Sequence, residues 1–78
     1  MAVLKLFAGA REAAGESSIV IAAETVGELL DAAVKIYGKD LEKMIGISRI
    51  WLNGEQTDPS QALKDSDEVA ILPPISGG

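Results

Sequence analysis

The segment at residues 25–37, TVGELLDAAVKIY, predicts the principal helix of the chain. Thr25 precedes Glu28 by three residues, a spacing at which the two side chains satisfy backbone amides at a helix N-terminus. Apolar side chains then recur at helical spacing, at positions 26, 29, 30, 33, 34 and 37. We therefore expect a helix that packs one apolar face against a sheet. Gly38 is expected to end it in a left-handed conformation, and Gly27 in its first turn is mildly unfavourable.

Short segments on both sides of this helix have the composition of β-strands. They are rich in β-branched and apolar residues or follow a hairpin signal, and we predict strands at 3–8, 18–22, 49–53, 55–57 and 68–72. Asn53-Gly54 predicts a two-residue hairpin, because both residues tolerate positive φ. Residues 11–15 are expected to form no more than one helical turn, and residues 61–63 a further turn.

The predicted order of elements is β-β-α-β-β-β within 78 residues. One helix that covers a mostly antiparallel sheet indicates an α+β fold of two layers. If the first and last strands are neighbours at the centre of the sheet, the fold is a β-grasp, the ubiquitin-like roll, with about four or five strands in a mixed sheet packed on the main helix. The strand pattern does not establish that pairing. We assign residues 1–72 to the folded domain and residues 73–78 to a flexible extended tail.

Composition argues against several kinds of function. The chain has no cysteine and no histidine, so it lacks disulfides, a thiolate nucleophile, the usual zinc ligands and the usual general base. Twelve acidic residues against seven basic ones give a net charge of −5, which opposes nucleic-acid binding and favours basic protein surfaces as partners. No apolar run approaches a membrane span, so we expect a cytoplasmic protein without membrane contact. Asp65 and Asp67 lie in a polar turn and are expected to be solvated rather than catalytic.

The C-terminal stretch LPPISGG, residues 72–78, has the features of a projecting tail. Two prolines end a strand, because proline donates no ladder hydrogen bond and holds an extended φ. Gly77 and Gly78 lack a Cβ and can thread a narrow channel in another protein. Residues 73–78 reach about 20 Å when extended, which suits a partner's active-site tunnel.

The reactive group of such a tail would be the α-carboxylate of Gly78. A carboxylate is a poor acyl donor, so we expect activation by ATP to an acyl-adenylate with AMP as the leaving group. The chain has no phosphate-binding glycine loop, so we expect it to bind no cofactor itself and a partner to supply ATP and magnesium. A frayed terminus without function is the alternative that the glycine doublet alone leaves open.

Five motifs give the chain a resemblance to a known family. They are Phe7-Ala8 with Arg11-Glu12 and Gly15, TVGELL at 25–30, Leu52-Asn53-Gly54, Asp67-Glu68-Val69-Ala70, and LPPISGG at 72–78. With them, nearly the whole chain resembles the MoaD/ThiS family of ubiquitin-like sulfur carriers, and within that family the small subunits of molybdopterin synthase. The last motif is the specific one, because capping boxes and Asn-Gly turns occur in many unrelated folds.

The resemblance implies a sulfur-carrier cycle. An E1-like adenylating enzyme of the MoeB type activates the Gly78 carboxylate, and a sulfur donor such as a cysteine desulfurase converts it to a thiocarboxylate. The tail then enters the large synthase subunit of the MoaE type, in an expected heterotetramer, and gives sulfur to precursor Z to form the dithiolene of molybdopterin. Gly78 bears the sulfur, Gly77 is its slim neighbour, and the chain is a non-catalytic subunit. The threading segment consists of Pro73, Pro74, Ile75 and Ser76.

Other functions within and outside this family stay open. Thiamine-type carriers that feed thiazole synthesis are usually shorter and lack the Arg11-Glu12 helical insert and the double proline, and both departures favour the molybdopterin interpretation. Related carriers serve cysteine synthesis or tungsten cofactors, and some archaeal ones modify lysines as ubiquitin does. A β-grasp binding module with an idle tail is the alternative of a different class, and no E1-like enzyme would adenylate it.

Trp51 is a candidate interface residue because of its place in a predicted strand. It alternates with Ile50 and Leu52, so if those two face the helix, Trp51 lies with Arg49 on the outer face of the sheet. An exposed tryptophan there is a natural anchor for a partner. With the opposite alternation Trp51 belongs to the core.

Four residues have further roles assigned from sequence. Leu72 or Ile75 is a candidate apolar anchor on the partner. Arg11 is a candidate for a salt bridge with the partner, although an exposed arginine on a short helix is usually solvated. Phe7 is assigned to the core.

Overall fold

The computed structural model describes residues 1–74 as one sheet with three helices. The strands are β1 (Ala2–Leu6), β2 (Ser18–Ile21), β3 (Arg49–Leu52), β4 (Glu55–Gln56) and β5 (Glu68–Leu72). The helices are α1 (Ala8–Ala14), α2 (Val26–Tyr37) and α3 (Lys39–Ile47). The five predicted strands and the principal helix are present, so the predicted α+β class is confirmed.

The order of strands across the sheet is β2-β1-β5-β3-β4. The first and last strands are neighbours at its centre and run parallel, with Leu4 beside Val69 and Leu6 beside Ile71. The other pairs are antiparallel. The β-grasp prediction is therefore confirmed, including the central pairing that strand patterning could not establish.

The hydrophobic core lies between one face of the sheet and the helices. Leu4 and Leu6 of β1 are fully buried whereas Lys5 between them is exposed, as side-chain alternation in a half-buried strand requires. The buried residues of α2 are Val26, Leu29, Leu30 and Ala33. These four belong to the predicted apolar stripe, and its last two members, Val34 and Tyr37, are half-buried.

Residues 39–47 form a helix, α3, that sequence patterning did not predict. Leu41 is its fully buried residue, and Met44 and Ile45, three and four residues later, pack partly against the core, so the sequence carried a helical pattern that the prediction missed. Gly38 ends α2 and begins α3, with φ 92° and ψ −164°. The positive φ was expected, but this ψ lies outside the left-handed helical region and is open essentially to glycine. It turns the chain directly into a second helix.

The junction of β1 and α1 also differs from its prediction. β1 ends at Leu6 rather than at residue 8, and α1 spans seven residues rather than one turn. Phe7 has an extended backbone and is the N-cap, and its carbonyl oxygen accepts from the Ala10 N–H at 3.0 Å. Ala10 is fully buried. Alanine, arginine and glutamate favour helix, and packing of Ala10 against the core stabilises a helix that is too short to be stable alone.

The loop after β4 packs on the first turn of α2. The Gly27 N–H donates to the Pro59 carbonyl oxygen at 2.9 Å, and a Cβ on Gly27 would lie 3.1 Å from that oxygen. Glycine inside a helix costs about 1 kcal/mol relative to alanine, and here it permits this close approach. Ala62 forms an isolated antiparallel bridge with Thr25, so residues 61–63 are not the helical turn that was expected.

The β3–β4 hairpin is tied to the loop that precedes β5. Asn53 and Gly54 have φ values of 50° and 84°, which confirms the predicted turn. The Asn53 side chain donates from Nδ2 to Asp67 Oδ1 at 3.0 Å and accepts from the Glu68 N–H at 2.9 Å. Asp67 Oδ2 accepts from the Lys64 N–H at 2.7 Å. Asp67 is therefore a bridge between two loops rather than the freely solvated carboxylate that was expected.

These hydrogen bonds should make the stability of the fold depend on acid pH. The Lys64 N–H, and then the Asn53 side chain, hold the pKa of the Asp67 carboxyl below its usual value. A lowered folded pKa means that the carboxylate stabilises the native state above the unfolded pKa of about 3.9, and that this contribution is lost as pH falls through the folded pKa. Asp67→Asn should therefore melt below the wild type at neutral pH, and the two melting temperatures should converge as pH falls through the folded pKa of Asp67. Thermal melts followed by circular dichroism across this pH range measure the two melting temperatures. A difference between them that persists in strong acid would contradict the stabilising role of the Asp67 carboxylate.

Candidate functional site

β5 carries the chain out of the centre of the sheet, and we call the point after Leu72, where the chain leaves this strand, the exit. Its pairing with β1 and β3 reaches Ile71 and Leu72 respectively. Pro73 is buried and Pro74 is exposed, so packing against the domain extends one residue into the predicted tail. The remaining predicted threading and sulfur-bearing residues lie outside the described residues; they are Ile75, Ser76, Gly77 and Gly78.

The face of the sheet opposite the core forms the surface around this exit. The strand register places Trp51 beside Ala70, and Ala70 beside Lys5, in one row of outward side chains. Arg49 lies beside Leu72 in a neighbouring row. None of these five residues belongs to the buried core. The structure thus places Trp51 with Arg49 on the outer face, and the role of Trp51 at an interface stays a prediction.

A shallow groove of about 340 Å³ lies between Trp51 and the exit. Its lining consists of Ile47, Arg49, Trp51, Leu72, Pro73 and Pro74. Trp51 is half-buried, and its indole Nε1 is buried without a hydrogen-bond partner among residues 1–74. Ile47, at the end of α3, is 62% exposed. A half-buried tryptophan beside an exposed aliphatic residue is the kind of surface that a partner protein covers.

A second groove, of about 230 Å³, lies on the opposite side of β5, along β1. Its lining consists of Lys5, Leu6, Phe7, Arg11, Ser17 and Ser18. Phe7 is 44% exposed, so its assignment to the core is wrong. The reason is alternation: Phe7 directly follows the buried Leu6 and points away from the core as β1 ends. The same alternation, read along β1, is the sequence signal that could have placed it on this surface.

The charged groups that line the two grooves are all cationic. Lys5 Nζ forms a salt bridge with Glu68 Oε1 at 3.1 Å. Arg11 and Arg49 are exposed, and within the described part of the chain neither forms a salt bridge. The structure therefore brings Arg11 and Trp51, which were predicted separately, to the two sides of one exit. Ile47 was not predicted because α3 itself was not.

The exit surface is lined by apolar and polar side chains and by the cations Lys5, Arg11 and Arg49. The chain has no histidine or cysteine, and residues 1–74 contain no group of three or more acidic side chains that could hold a metal ion. The most shifted pKa belongs to Tyr37, which lines neither groove: burial, and then a hydrogen bond donated to Glu16, raise its pKa to about 12. Tyr37 therefore stays protonated and links the end of α2 to the loop before β2.

Among the helices of residues 1–74, none combines the length and the apolar character needed to cross a membrane.

The parallel pairing of the first and last strands, with the C-terminal segment leaving the middle of the sheet, makes this a ubiquitin-like β-grasp protein. Solved structures of the same fold superpose on nearly the whole chain. The chain belongs to the ThiS family, whose sequence model matches residues 4–78.

Individual relatives carry two kinds of description. The chain is 35% identical to Small archaeal modifier protein 1 of Haloferax volcanii, over 95% of this chain and 97% of that protein. A crystal structure of that modifier gives a TM-score of 0.88 at 32% identity and covers 99% of this chain and 98% of its own. The chain is 37% identical to a molybdopterin synthase sulfur carrier subunit of Arabidopsis thaliana, over 94% of this chain and 78% of that protein.

A third relative was solved with a partner. It is a chain from the protein–protein complex of subunits 1 and 2 of the molybdopterin-converting factor of Helicobacter pylori, with a TM-score of 0.73 at 28% identity. The match covers 99% of this chain and 97% of that one.

Proposed function

We propose that this chain is a sulfur carrier of molybdopterin synthesis and that its C-terminal Gly78 carries the sulfur. The observation on which the proposal depends is that the family match runs through Gly78, at the end of a segment that leaves a strand paired on both sides. The 37% identity to the Arabidopsis carrier subunit supports this member of the family. The converting-factor complex from Helicobacter supports a large synthase subunit as one partner.

The chemistry begins when an oxygen of the Gly78 carboxylate attacks the α-phosphorus of ATP and releases pyrophosphate. The resulting acyl-adenylate has AMP as a good leaving group, so a persulfide can displace AMP at the carbonyl carbon. The acyl disulfide that forms is then cleaved by a thiol reductant, which leaves the thiocarboxylate and is itself oxidised to a disulfide. An E1-like adenylating enzyme supplies ATP and magnesium, and a cysteine desulfurase supplies the sulfur. The thiocarboxylate then transfers its sulfur to the pterin precursor in the active site of the large subunit.

The residues of this chain present the terminus and position it. Pro73 is held against the domain, and the ring of Pro74 fixes the φ of that residue at the start of the exposed segment. The exposed apolar surface of Phe7, Trp51 and Leu72 lies around the base of the tail. The activating enzyme and the large subunit would cover this surface in turn, because both must enclose the same terminus.

Intact-mass spectrometry tests the proposal. Incubation with ATP, magnesium, a sulfur source and the cognate E1-like enzyme should make the protein heavier by the difference between a sulfur and an oxygen atom. Omission of ATP should leave the mass unchanged. An unchanged mass in the complete mixture, with an enzyme shown to be active on another carrier, would sink the proposal.

A second candidate function is covalent modification of other proteins, which the 35% identity to the Haloferax modifier favours. A lysine amine would then attack the acyl-adenylate and release AMP, with an amide as the product. Conjugates should appear in an extract with ATP, resist reducing agents and disappear when Gly78 is deleted. If thiocarboxylate forms and no conjugate does, sulfur transfer alone is supported.

Molybdopterin and thiamine carriers differ in the protein that receives the sulfur. A neighbouring gene for a large molybdopterin synthase subunit would support the proposed role, whereas a neighbouring thiazole synthase gene would indicate the thiamine pathway. Sulfur transfer measured with each purified acceptor protein then decides between them.

A further inference from the structure

Two arginines flank the point at which β5 leaves the sheet. Arg49 lines the groove beside Trp51, and Arg11 lines the groove beside Phe7. These grooves lie on opposite sides of β5, because β1 and β3 are its two neighbours. Both arginine side chains are exposed, and neither forms a salt bridge within residues 1–74.

The charge of this surface is opposite to that of the whole chain. The net charge is −5, from which basic protein surfaces were expected as partners. Among residues 1–74, the charged residues that line the two grooves are Lys5, Arg11 and Arg49, without a carboxylate. Lys5 is compensated by Glu68, so within this part of the chain the arginines are the unpaired charges. Exposed charges are screened beyond about 8 Å at physiological ionic strength, so these local cations outweigh the distant carboxylates in contacts made here.

We propose that Arg11 and Arg49 each bind a carboxylate on the docking surface of the activating enzyme, one on either side of the exit. This inference rests on the proposed function, because it names the chemistry of the partner that receives the tail. A guanidinium presents a planar fork of N–H donors that matches a carboxylate in a bidentate pair. Phe7 lines the groove of Arg11, and Leu72 and Trp51 line the groove of Arg49. Burial of these apolar side chains under the partner would exclude water from both pairs.

Two such pairs also orient the carrier. A single contact leaves the domain free to rotate about it, whereas two contacts on opposite sides of β5 define the direction in which the chain leaves β5 toward the catalytic groups. The docking surface of the enzyme is therefore an apolar patch with an acidic rim, not the basic surface that the net charge of this chain suggests.

Charge reversal with a matched control tests the inference. The test pair is Arg11→Glu with Arg49→Glu, and the control pair is Lys39→Glu with Lys64→Glu, two exposed lysines that line neither exit groove. Each substitution replaces a positive charge with a negative one, so both double variants reach a net charge of −9. The measurement is ATP-dependent adenylation by the cognate E1-like enzyme, with the carrier concentration varied at several salt concentrations.

We expect each arginine substitution to raise KM by about tenfold, with kcat within about twofold of wild type, because a lost charge-assisted pair weakens docking but leaves the tail intact. The control pair should keep the wild-type KM. Rising salt should weaken docking of the wild type and have little further effect on the arginine pair. If the arginine pair and the lysine pair raise KM equally, net charge governs docking and the inference fails. If neither pair raises KM, the inference fails as well.

Failure of the inference and failure of the proposed function give different results. If wild type is adenylated and the arginine pair behaves like the lysine pair, only the inference falls. If wild type is not adenylated by an enzyme active on another carrier, both fall. The neutral pair Arg11→Gln with Arg49→Gln repeats the test without reversed charge, so the inference stays testable if the double Glu variant does not fold.

Discussion

A chain that lacks Gly78 should form thiocarboxylate at least about a hundredfold more slowly than wild type, while it unfolds at the same temperature. The reacting carbonyl carbon belongs to the terminal residue, so the shortened chain would hold its carboxylate one residue away from the catalytic groups of the activating enzyme. Stability should not change, because the pairing of β5 ends at Leu72 and the buried apolar core at Ile71. Intact-mass spectrometry after a timed reaction gives the first quantity, and a thermal melt gives the second.

Gly77→Ala is a milder change, because it keeps the length of the chain and adds one Cβ where a narrow channel is expected. Its rate of thiocarboxylate formation should lie between those of wild type and of the Gly78 deletion. Lys39→Gln, an exposed substitution on α3, is the control and should match wild type in both measurements. A large loss of melting temperature on deletion of Gly78 would mean that the C-terminal segment is structural. Full conversion of the deletion variant would mean that the reacting group lies elsewhere.

Ile71→Ala should lower the free energy of unfolding by about 3 kcal/mol, since truncation of a buried isoleucine removes apolar contacts and leaves a cavity. Ile71 is fully buried and lies in register between Leu6 of β1 and Ile50 of β3. In a domain of this size, a loss of that magnitude should lower the melting temperature by roughly 10 to 25 °C. It is a large fraction of the total stability of a small domain, which is about 5 kcal/mol or somewhat more. Urea titration and a thermal melt measure the two quantities.

Leu72→Ala is the matched control, because Leu72 follows Ile71 on the same strand and faces the opposite side of the sheet. It is half-buried in the exit groove, so its truncation should cost about 1 kcal/mol. Its larger effect should be on docking, as a raised KM for the activating enzyme with little change in kcat. Equal losses of stability in the two variants would contradict the assignment of Ile71 to the core and Leu72 to the docking surface.

Elements with strong local signals were predictable from sequence. The N-cap of α2 is one: Thr25 Oγ1 accepts from the Glu28 N–H at 3.1 Å, as their spacing predicted. The turn at Asn53-Gly54 is another, because its backbone requires residues that tolerate positive φ. The C-terminal tail was predicted for a similar reason, since proline and glycine restrict or release the backbone by their own covalent structure, and it stays a prediction.

Features that depend on packing between distant segments were not predictable in this way. α3 is not one of these features, because Leu41, Met44 and Ile45 stand at helical spacing and its own pattern could have predicted it. Gly27 is unfavourable by helix propensity, and only the contact with Pro59 explains why a residue without a Cβ is placed there. Phe7 is a large apolar residue of a type that is usually buried. It is exposed because β1 ends at Leu6, one residue before it.

The sequence by itself determined the five strands, the principal helix and the hairpin of this protein. Residues within one or two turns of each other set these elements and their caps, whereas the role of the terminal glycines stays a proposal. Only the tertiary structure decided that β1 and β5 pair in parallel, and that Arg11 and Arg49 lie on opposite sides of the exit. Those features join residues far apart in the chain, and their contacts exist only once strands have paired, so no local pattern encodes them.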